Sequence, residues 1–160
     1  MMTPPDSNSL PMSGGCMCGE VRYAISGPLL FRAHCHCETC QAYTQAEHAD
    51  IIVMRSRDVI LEGESQIGFR FHQFPPVINR GTCAACGGVA VERIHLPVSP
   101  KLTIIPAQTL ESTDGAPNVA FHMFYHRRVK DAQDRLPKHS GYLRSQTAFS
   151  MAALRSLRKT

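Results

Sequence analysis

Val77-Ile78-Asn79-Arg80-Gly81-Thr82-Cys83-Ala84-Ala85-Cys86-Gly87-Gly88-Val89-Ala90-Val91-Glu92-Arg93-Ile94 is the stretch that decides the fold class. Val77–Thr82 and Val89–Ile94 have the composition of short strands, and Cys83–Gly88 is the turn between them, which predicts a β-hairpin. Two cysteines this close on a tight turn present two thiolates to one metal ion, half of a tetrahedral zinc shell. Gly87, directly after the second cysteine, lets the backbone take a positive φ and fold over the metal, so that N–H groups of the turn can donate to the sulfurs. The other half of the shell must come from elsewhere. A metal closed by distant segments ties the intervening strands into one domain.

Short strands run through most of the chain. Val21, Tyr23 and Ile25 alternate with Arg22, Ala24 and Ser26, the period of a half-buried strand, and Gly27-Pro28 ends it. Leu29–His34 reads as a second strand, leading into a cysteine cluster. Ala49–Met54 is a continuous apolar run and predicts a buried central strand. Val59–Leu61 and Ile67–Phe71 flank Glu62-Gly63-Glu64, which predicts another hairpin, with Ile67, Phe69 and Phe71 on one face. Pro75-Pro76 breaks the chain. Leu102–Ile105 and Val119–Tyr125 are further strands; in the latter Val119, Phe121, Met123 and Tyr125 face one way. One helix is predicted near the C-terminus, where Phe149, Ala153 and Leu157 recur at four-residue spacing and Arg155, Arg158 and Lys159 complement the helix dipole. The fold class is therefore mainly β: a single domain of short antiparallel strands with a short C-terminal helix. The boundaries read as a disordered leader over 1–12, a zinc-binding β domain over 13–145, and a basic helix or tail over 146–160.

The whole chain has 160 residues, 43% hydrophobic and 19% charged, which suits one globular domain and excludes wholesale disorder. Its longest apolar runs are far too short to span a bilayer, so no membrane role is expected. Met1–Met12 has neither a basic nor an apolar signal region, and the expected location is the cytoplasm. Thiols stay reduced there, so clustered cysteines point to metal or catalysis before disulfides; the odd count of seven also argues against full pairing. Charge is uneven. From Phe121 onward nine Lys/Arg face two Asp/Glu, a balance of +7, within a chain of net +4. Such a stretch could attract an anionic small molecule, an acidic protein or nucleic acid, or simply be solvated.

The cysteines form three clusters: Cys16-Met17-Cys18, Cys35-His36-Cys37-Glu38-Thr39-Cys40, and Cys83-Ala84-Ala85-Cys86. The first and third share a following glycine and together supply four ligands, so Cys16, Cys18, Cys83 and Cys86 are assigned to one closed structural zinc. A competing arrangement joins Cys16 and Cys18 to Cys35 and Cys37. In the preferred one, Cys35, Cys37 and Cys40 stand alone. Three protein ligands with an open fourth position are the pattern of a catalytic zinc, which could lower the pKa of a bound thiol or polarise a carbonyl. A fourth protein ligand from His34, His36, Glu38, His48, His122 or His126 would close it instead. A triad of free redox-active thiols is the remaining alternative.

Gly15-Cys16-Met17-Cys18-Gly19-Glu20-Val21-Arg22-Tyr23, Cys35-His36-Cys37-Glu38-Thr39-Cys40 and Cys83-Ala84-Ala85-Cys86-Gly87, in this order and spacing, resemble the glutathione-dependent formaldehyde-activating enzyme family, whose domain is shared with centromere protein V. Phe121-His122-Met123-Phe124 and Arg135-Leu136-Pro137 are similar to its C-terminal part. The resemblance implies a zinc-ribbon-like core, the same division of the seven cysteines between a structural and an active zinc, and a carbon–sulfur lyase activity linking glutathione and formaldehyde to S-hydroxymethylglutathione. Members often carry Arg-Lys after the second cluster and a glycine a little beyond; this chain has Gln41-Ala42 and Gln45. Members usually carry a Trp near the position of Asp131, and this chain has no Trp. Arg127, Arg128 and Lys130 are the cations that could replace the missing basic pair.

The expected function is a zinc enzyme of the carbon–sulfur lyase type, holding two zinc ions and acting on a small thiol such as glutathione. The rival expectation is a non-catalytic zinc β-module that binds a protein or nucleic acid through its basic C-terminal stretch.

Overall fold

The computed structural model describes residues 12–160, so all of the expected leader except Met12 lies outside the described residues. In chain order the elements are β1 Met12–Gly15, β2 Arg22–Ile25, β3 Leu29–Cys35, α1 Glu38–Thr44, β4 Ala49–Arg55, β5 Val59–Glu62, β6 Ile67–Phe71, β7 Ile78–Cys83, β8 Val89–Ile94, β9 Leu102–Pro106, β10 Val119–Met123 and α2 Tyr142–Lys159. The strands build two sheets, a three-stranded one in the order β1-β2-β5 and a seven-stranded one in the order β10-β3-β4-β9-β8-β7-β6. The class is mainly β, as the sequence implies, with one parallel pair: β10 lies parallel to β3 at the sheet edge, with His122 opposite His34 and Met123 opposite Cys35.

The layers follow from side-chain alternation. In β4, Ile51 and Val53 face one way and Ile52 and Met54 the other. Both faces of that strand are covered, which is why its sequence is continuously apolar. Ile52 and Met54 pack with Val91 and Ile105 against Tyr23 and Ile25 of the small sheet. Ile51 and Val53 pack with Phe31, Phe121 and Met123, and this second core also takes in Cys35, Cys37 and Cys40. Helix α2 covers it: the Phe149 ring meets Phe31 edge-on at 5.1 Å, Ala153 is buried, and Ser156 Oγ donates to Leu30 O at 2.8 Å. The expected apolar stripe is therefore spent on β3 and β10, and the helix starts at Tyr142, earlier than its stripe indicates.

The hairpin expected around Cys83–Gly88 is present as β7 and β8. The other one is not. Gly63 does turn the chain, at φ +77°, but β5 pairs with β2 and β6 with β7, so the two arms enter different sheets. The strand expected to reach Tyr125 ends at Met123, because Phe124 takes a left-handed conformation, φ 53°.

Helix α1 has no counterpart in the sequence reading. Its N-terminus is capped by Cys37, whose sulfur accepts from Cys40 N–H, and its C-cap Gln45 sits at φ 51°, ψ 44°. A left-handed C-cap favours glycine, because a Cβ there crowds the backbone. Gln45 is solvent-exposed and makes no side-chain hydrogen bond among the described residues. Gln45→Gly should therefore stabilise the fold by about 1 kcal/mol, seen as a rise in the thermal midpoint at constant metal content.

Candidate metal centres

The fold gathers the seven cysteines into two groups. Cys16, Cys18, Cys83 and Cys86 place their sulfurs within 4.8 Å of one another, and so do Cys35, Cys37 and Cys40. All seven are free thiols. The competing pairing of Cys16 and Cys18 with Cys35 and Cys37 is not what the fold brings together.

The four-cysteine group joins the two sheets. Cys16 and Cys18 sit on the turn between β1 and β2, and Cys83 and Cys86 on the turn between β7 and β8. Cys16 Sγ lies 3.5 Å from Cys18 Sγ, which lies 3.7 Å from Cys83 Sγ. Four sulfurs at the corners of a tetrahedron around zinc, with a bond near 2.3 Å, would be about 3.8 Å apart, so the group already has the size of a shell. Backbone N–H groups serve the sulfurs: Val21 donates to Cys16 at 3.3 Å and Gly88 to Cys86 at 3.4 Å. The Gly88 bond brings the Cys86 thiol down to about 6. Gly19 and Gly87 both have positive φ, as the Cys-Gly endings require.

The three-cysteine group is built where β3 hands over to α1. Cys35 ends the strand, facing the same core as Phe31 and Ala33; Cys37 caps the helix; Cys40 lies one turn in. Cys35 Sγ donates to Cys37 Sγ at 3.5 Å, and Cys40 N–H donates to the same sulfur at 3.3 Å. Hydrogen bonds from the Cys35 and Cys40 thiols, then the Cys40 N–H and the Arg80 charge, hold Cys37 down to about 3 against the cost of its burial. The same hydrogen bonding pushes Cys35 well above the ordinary thiol range. Three sulfurs, one of them a ready thiolate, form a soft donor set that suits zinc and offers nothing to a hard cation such as magnesium.

None of the six side chains considered as a fourth ligand joins this group. Each has another partner. His36 Nε2 lies 2.8 Å from His122 Nδ1, and His122 Nε2 lies 2.8 Å from Asp134 Oδ2. His34 lies 3.7 Å from Asp50 and stacks on His48, with ring centroids 4.3 Å apart. His126 Nδ1 accepts from Gly141 N–H, and Glu38 faces Arg127 at 3.5 Å. Burial, reinforced by the neighbouring His48, His122 and His34 rings, pulls His36 down to about 4. The Cys35–Cys37 segment is thereby pinned: His36 N–H donates to Met123 O, its carbonyl accepts from Gln41 Nε2 at 2.7 Å, and its ring is held by His122.

The sequence reading gives no role to Arg80, Glu92 or Tyr43, which stand behind Cys40. Arg80 Nη2 donates to Cys40 Sγ at 3.6 Å, and its Nε is 3.0 Å from Glu92 Oε1. Both side chains are nearly fully buried, and burial pushes Glu92 up to about 7 against the pull of Arg80.

Residues 11–127 match the family model described as "Glutathione-dependent formaldehyde-activating enzyme", well over half of the chain's 160 residues. This chain belongs to the glutathione-dependent formaldehyde-activating enzyme family. A crystal structure of a Rhodobacter sphaeroides protein is similar in fold, with a TM-score of 0.51 at 19% identity, the match covering 68% of this chain and 97% of that one. Membership of the glutathione-dependent formaldehyde-activating enzyme family ties the chain to glutathione- and formaldehyde-related chemistry, and its two cysteine groups could each hold a metal ion.

Two clefts open beside α1. One of about 380 Å³ is lined by Glu38, Thr39, Ala42, Tyr43 and His72; a wider one of about 610 Å³ includes Gln41, Gln45, Glu47 and Val129. Of the two residues that stand where members of the family often have a basic pair, Ala42 is exposed on both clefts, while Gln41 lines the wider one with its amide bonded to His36 O and Arg127 O. Of the cations that could replace that pair, Arg127 reaches Glu38 and Lys130 reaches Glu47 at 3.4 Å, both on these cleft walls, while Arg128 is held by Asp131. Lys138 pairs with Asp134. Much of the basic stretch before α2 is thus matched by acids. Among the described residues no helix is long and apolar enough to cross a membrane.

Proposed function

We propose that this protein is a cytoplasmic zinc enzyme of the carbon–sulfur lyase type, which adds a small thiol, glutathione foremost, to formaldehyde to form S-hydroxymethylglutathione and catalyses the reverse cleavage. The observation that carries this reading is the three-cysteine group, with no fourth protein ligand among the described residues, next to the clefts of α1. In it, Cys35, Cys37 and Cys40 hold the active zinc, and Cys16, Cys18, Cys83 and Cys86 hold a structural one. Zinc at the three-cysteine centre would supply Lewis acidity that keeps a bound thiol deprotonated at neutral pH.

The reaction is an addition. A carbon–sulfur bond forms at the carbonyl carbon, the carbon–oxygen π bond breaks, and the thiol proton ends on the new hydroxyl, so no oxidant or reductant is consumed. The chain's own contribution is to hold the reacting partners together, which supplies several kcal/mol to a two-body step. The pinned backbone around His36 keeps the three sulfurs fixed, and the clefts beside Glu38 and Tyr43 give a tripeptide-sized thiol room to lie along α1. Arg127 and Lys130 pair with cleft-wall carboxylates and would meet glutathione's carboxylates by exchanging Glu38 and Glu47 for them. The rival binding-module reading has less support, since Arg127, Arg128, Lys130 and Lys138 already face acids.

The test is zinc per chain on reduced protein, before and after dialysis against glutathione, paired with an assay of S-hydroxymethylglutathione formation. The expected result is two zinc ions, the second perturbed by glutathione, and product formation above the uncatalysed rate. Two zinc ions indifferent to glutathione, with no rate enhancement, would overturn the proposal.

A further inference from the structure

The two cysteine groups differ in how their negative charge is met. In the four-cysteine group, Cys18 and Cys86 are exposed, so water and backbone N–H groups can answer the thiolates. In the three-cysteine group the residues are 4%, 9% and 5% exposed. Three thiolates around a divalent ion leave one net negative charge, and in a buried site it costs several kcal/mol unless something compensates it. Among the described residues Arg80 is the only cation within hydrogen-bond reach of these sulfurs.

Arg80 is held for that task. It lies on β7 directly opposite Glu92 on β8, and the two carboxylate and guanidinium groups are in contact at 3.0 Å. Its guanidinium carbon stands 5.9 Å from the centroid of the Tyr43 ring on α1, whose hydroxyl donates to Gly81 O next to Arg80. The guanidinium is not satisfied by these partners. Among the described residues its Nη1 is buried without a hydrogen-bond acceptor, and its Nε, although close to Glu92, is not aimed at it. A buried cation with unspent donors beside a thiolate cluster is placed to be completed by negative charge on that cluster.

We propose that Arg80 is a positioning residue of the three-cysteine centre: its guanidinium, oriented by Glu92, neutralises the buried thiolate charge and so sets how tightly the centre holds its metal ion. The inference rests on the reading that Cys35, Cys37 and Cys40 bind a metal. It adds a residue outside the ligand set, and it assigns Glu92 the opposite sign, because the carboxylate competes with the thiolates for the same cation.

That opposition supplies the test. Zinc retention would be measured at pH 8 by competition with a chromogenic chelator, with zinc per chain counted by native mass spectrometry and the four-cysteine centre as internal reference. Arg80→Gln should weaken the second zinc by about 10- to 100-fold, the usual effect of losing a partner just outside the ligand shell, and Arg80→Lys should restore part of it. Glu92→Gln, near-isosteric and keeping an acceptor, should tighten it several-fold. Both Gln variants break the same buried ion pair, so a purely structural role would shift retention the same way in both. A loss of retention in Glu92→Gln, or no change in Arg80→Gln, overturns the inference even if Arg80→Gln folds poorly. A wild-type chain that holds only one zinc overturns the metal reading and the inference with it.

Discussion

A chain carrying Cys83→Ser is expected to hold at most one metal ion and to lose most of its folding stability, on the order of 5 kcal/mol or more. The size of the effect follows from where Cys83 sits. It ends β7, is 1% exposed, and packs with Cys16, Val21 and Ala90 in a small core of its own. Its partners Cys16 and Cys18 belong to the turn of the other sheet. Beyond the metal itself, the apolar contacts of Tyr23 and Ile25 with Ile52, Met54, Val91 and Ile105 hold the small sheet to the large one. The binding energy of a metal joining Cys18 to Cys83 becomes folding energy, because the shell does not exist in the unfolded chain. Serine offers no thiolate and leaves a buried hydroxyl among apolar neighbours. Circular dichroism melts with and without a strong chelator check this: the wild type should fall to the variant's stability when stripped, and the variant should be insensitive to chelator at that centre. Equal thermal midpoints for the variant and the zinc-loaded wild type would remove the structural role from this group.

Much of this architecture is legible in the sequence because the features that carry it are local. The alternation of Val21, Tyr23 and Ile25, the unbroken Ala49–Met54 run and the glycines after Cys18 and Cys86 each state a backbone or a burial requirement within a few residues. What escapes is set by distant partners. Gly63 does make its turn, but which strand each arm joins is decided by the core around Tyr23 and Ile25, so the expected hairpin is split between sheets. The parallel pairing of β10 with β3 likewise has no local mark. Helix α1 is too short for a period to show, and its cap is a cysteine sulfur, an uncommon cap that sequence rules do not anticipate. The histidines next to the cysteines stand in the sequence as the alternative fourth ligands; in the fold they bond to one another and to Asp50 and Asp134. Arg80 carries no local mark that sets it apart from other strand cations, and only the packing of α1 over β7 buries it against Cys40.

Cys37→Ser is expected to do the reverse of Cys83→Ser, abolishing the second centre while sparing the fold. Cys37 has two jobs that serine separates. As the cap of α1 it accepts the Cys40 N–H, and a serine oxygen is among the preferred acceptors at that position, so the helix should keep its start. The backbone just before it is held independently, by the His36–Met123 and His36–Gln41 bonds. As a sulfur donor it is irreplaceable, for it is the one thiol of the three brought down to about 3, the thiolate around which Cys35 and Cys40 arrange their hydrogen bonds. A neutral hydroxyl is a far weaker ligand than thiolate for a soft site, and two remaining thiols do not make a shell. Zinc per chain should fall from two to one, and glutathione-dependent formaldehyde turnover should drop by at least about 100-fold, the upper end of what losing an outer-shell partner alone costs. The thermal midpoint should move by only a few degrees, since the substitution changes one atom of a residue in that core and keeps the helix cap. If the variant keeps two zinc ions and full turnover, Cys37 is not a ligand and the active centre lies elsewhere. If it instead unfolds like Cys83→Ser, the three-cysteine group is a second structural staple, and the proposed division of labour between the two centres fails.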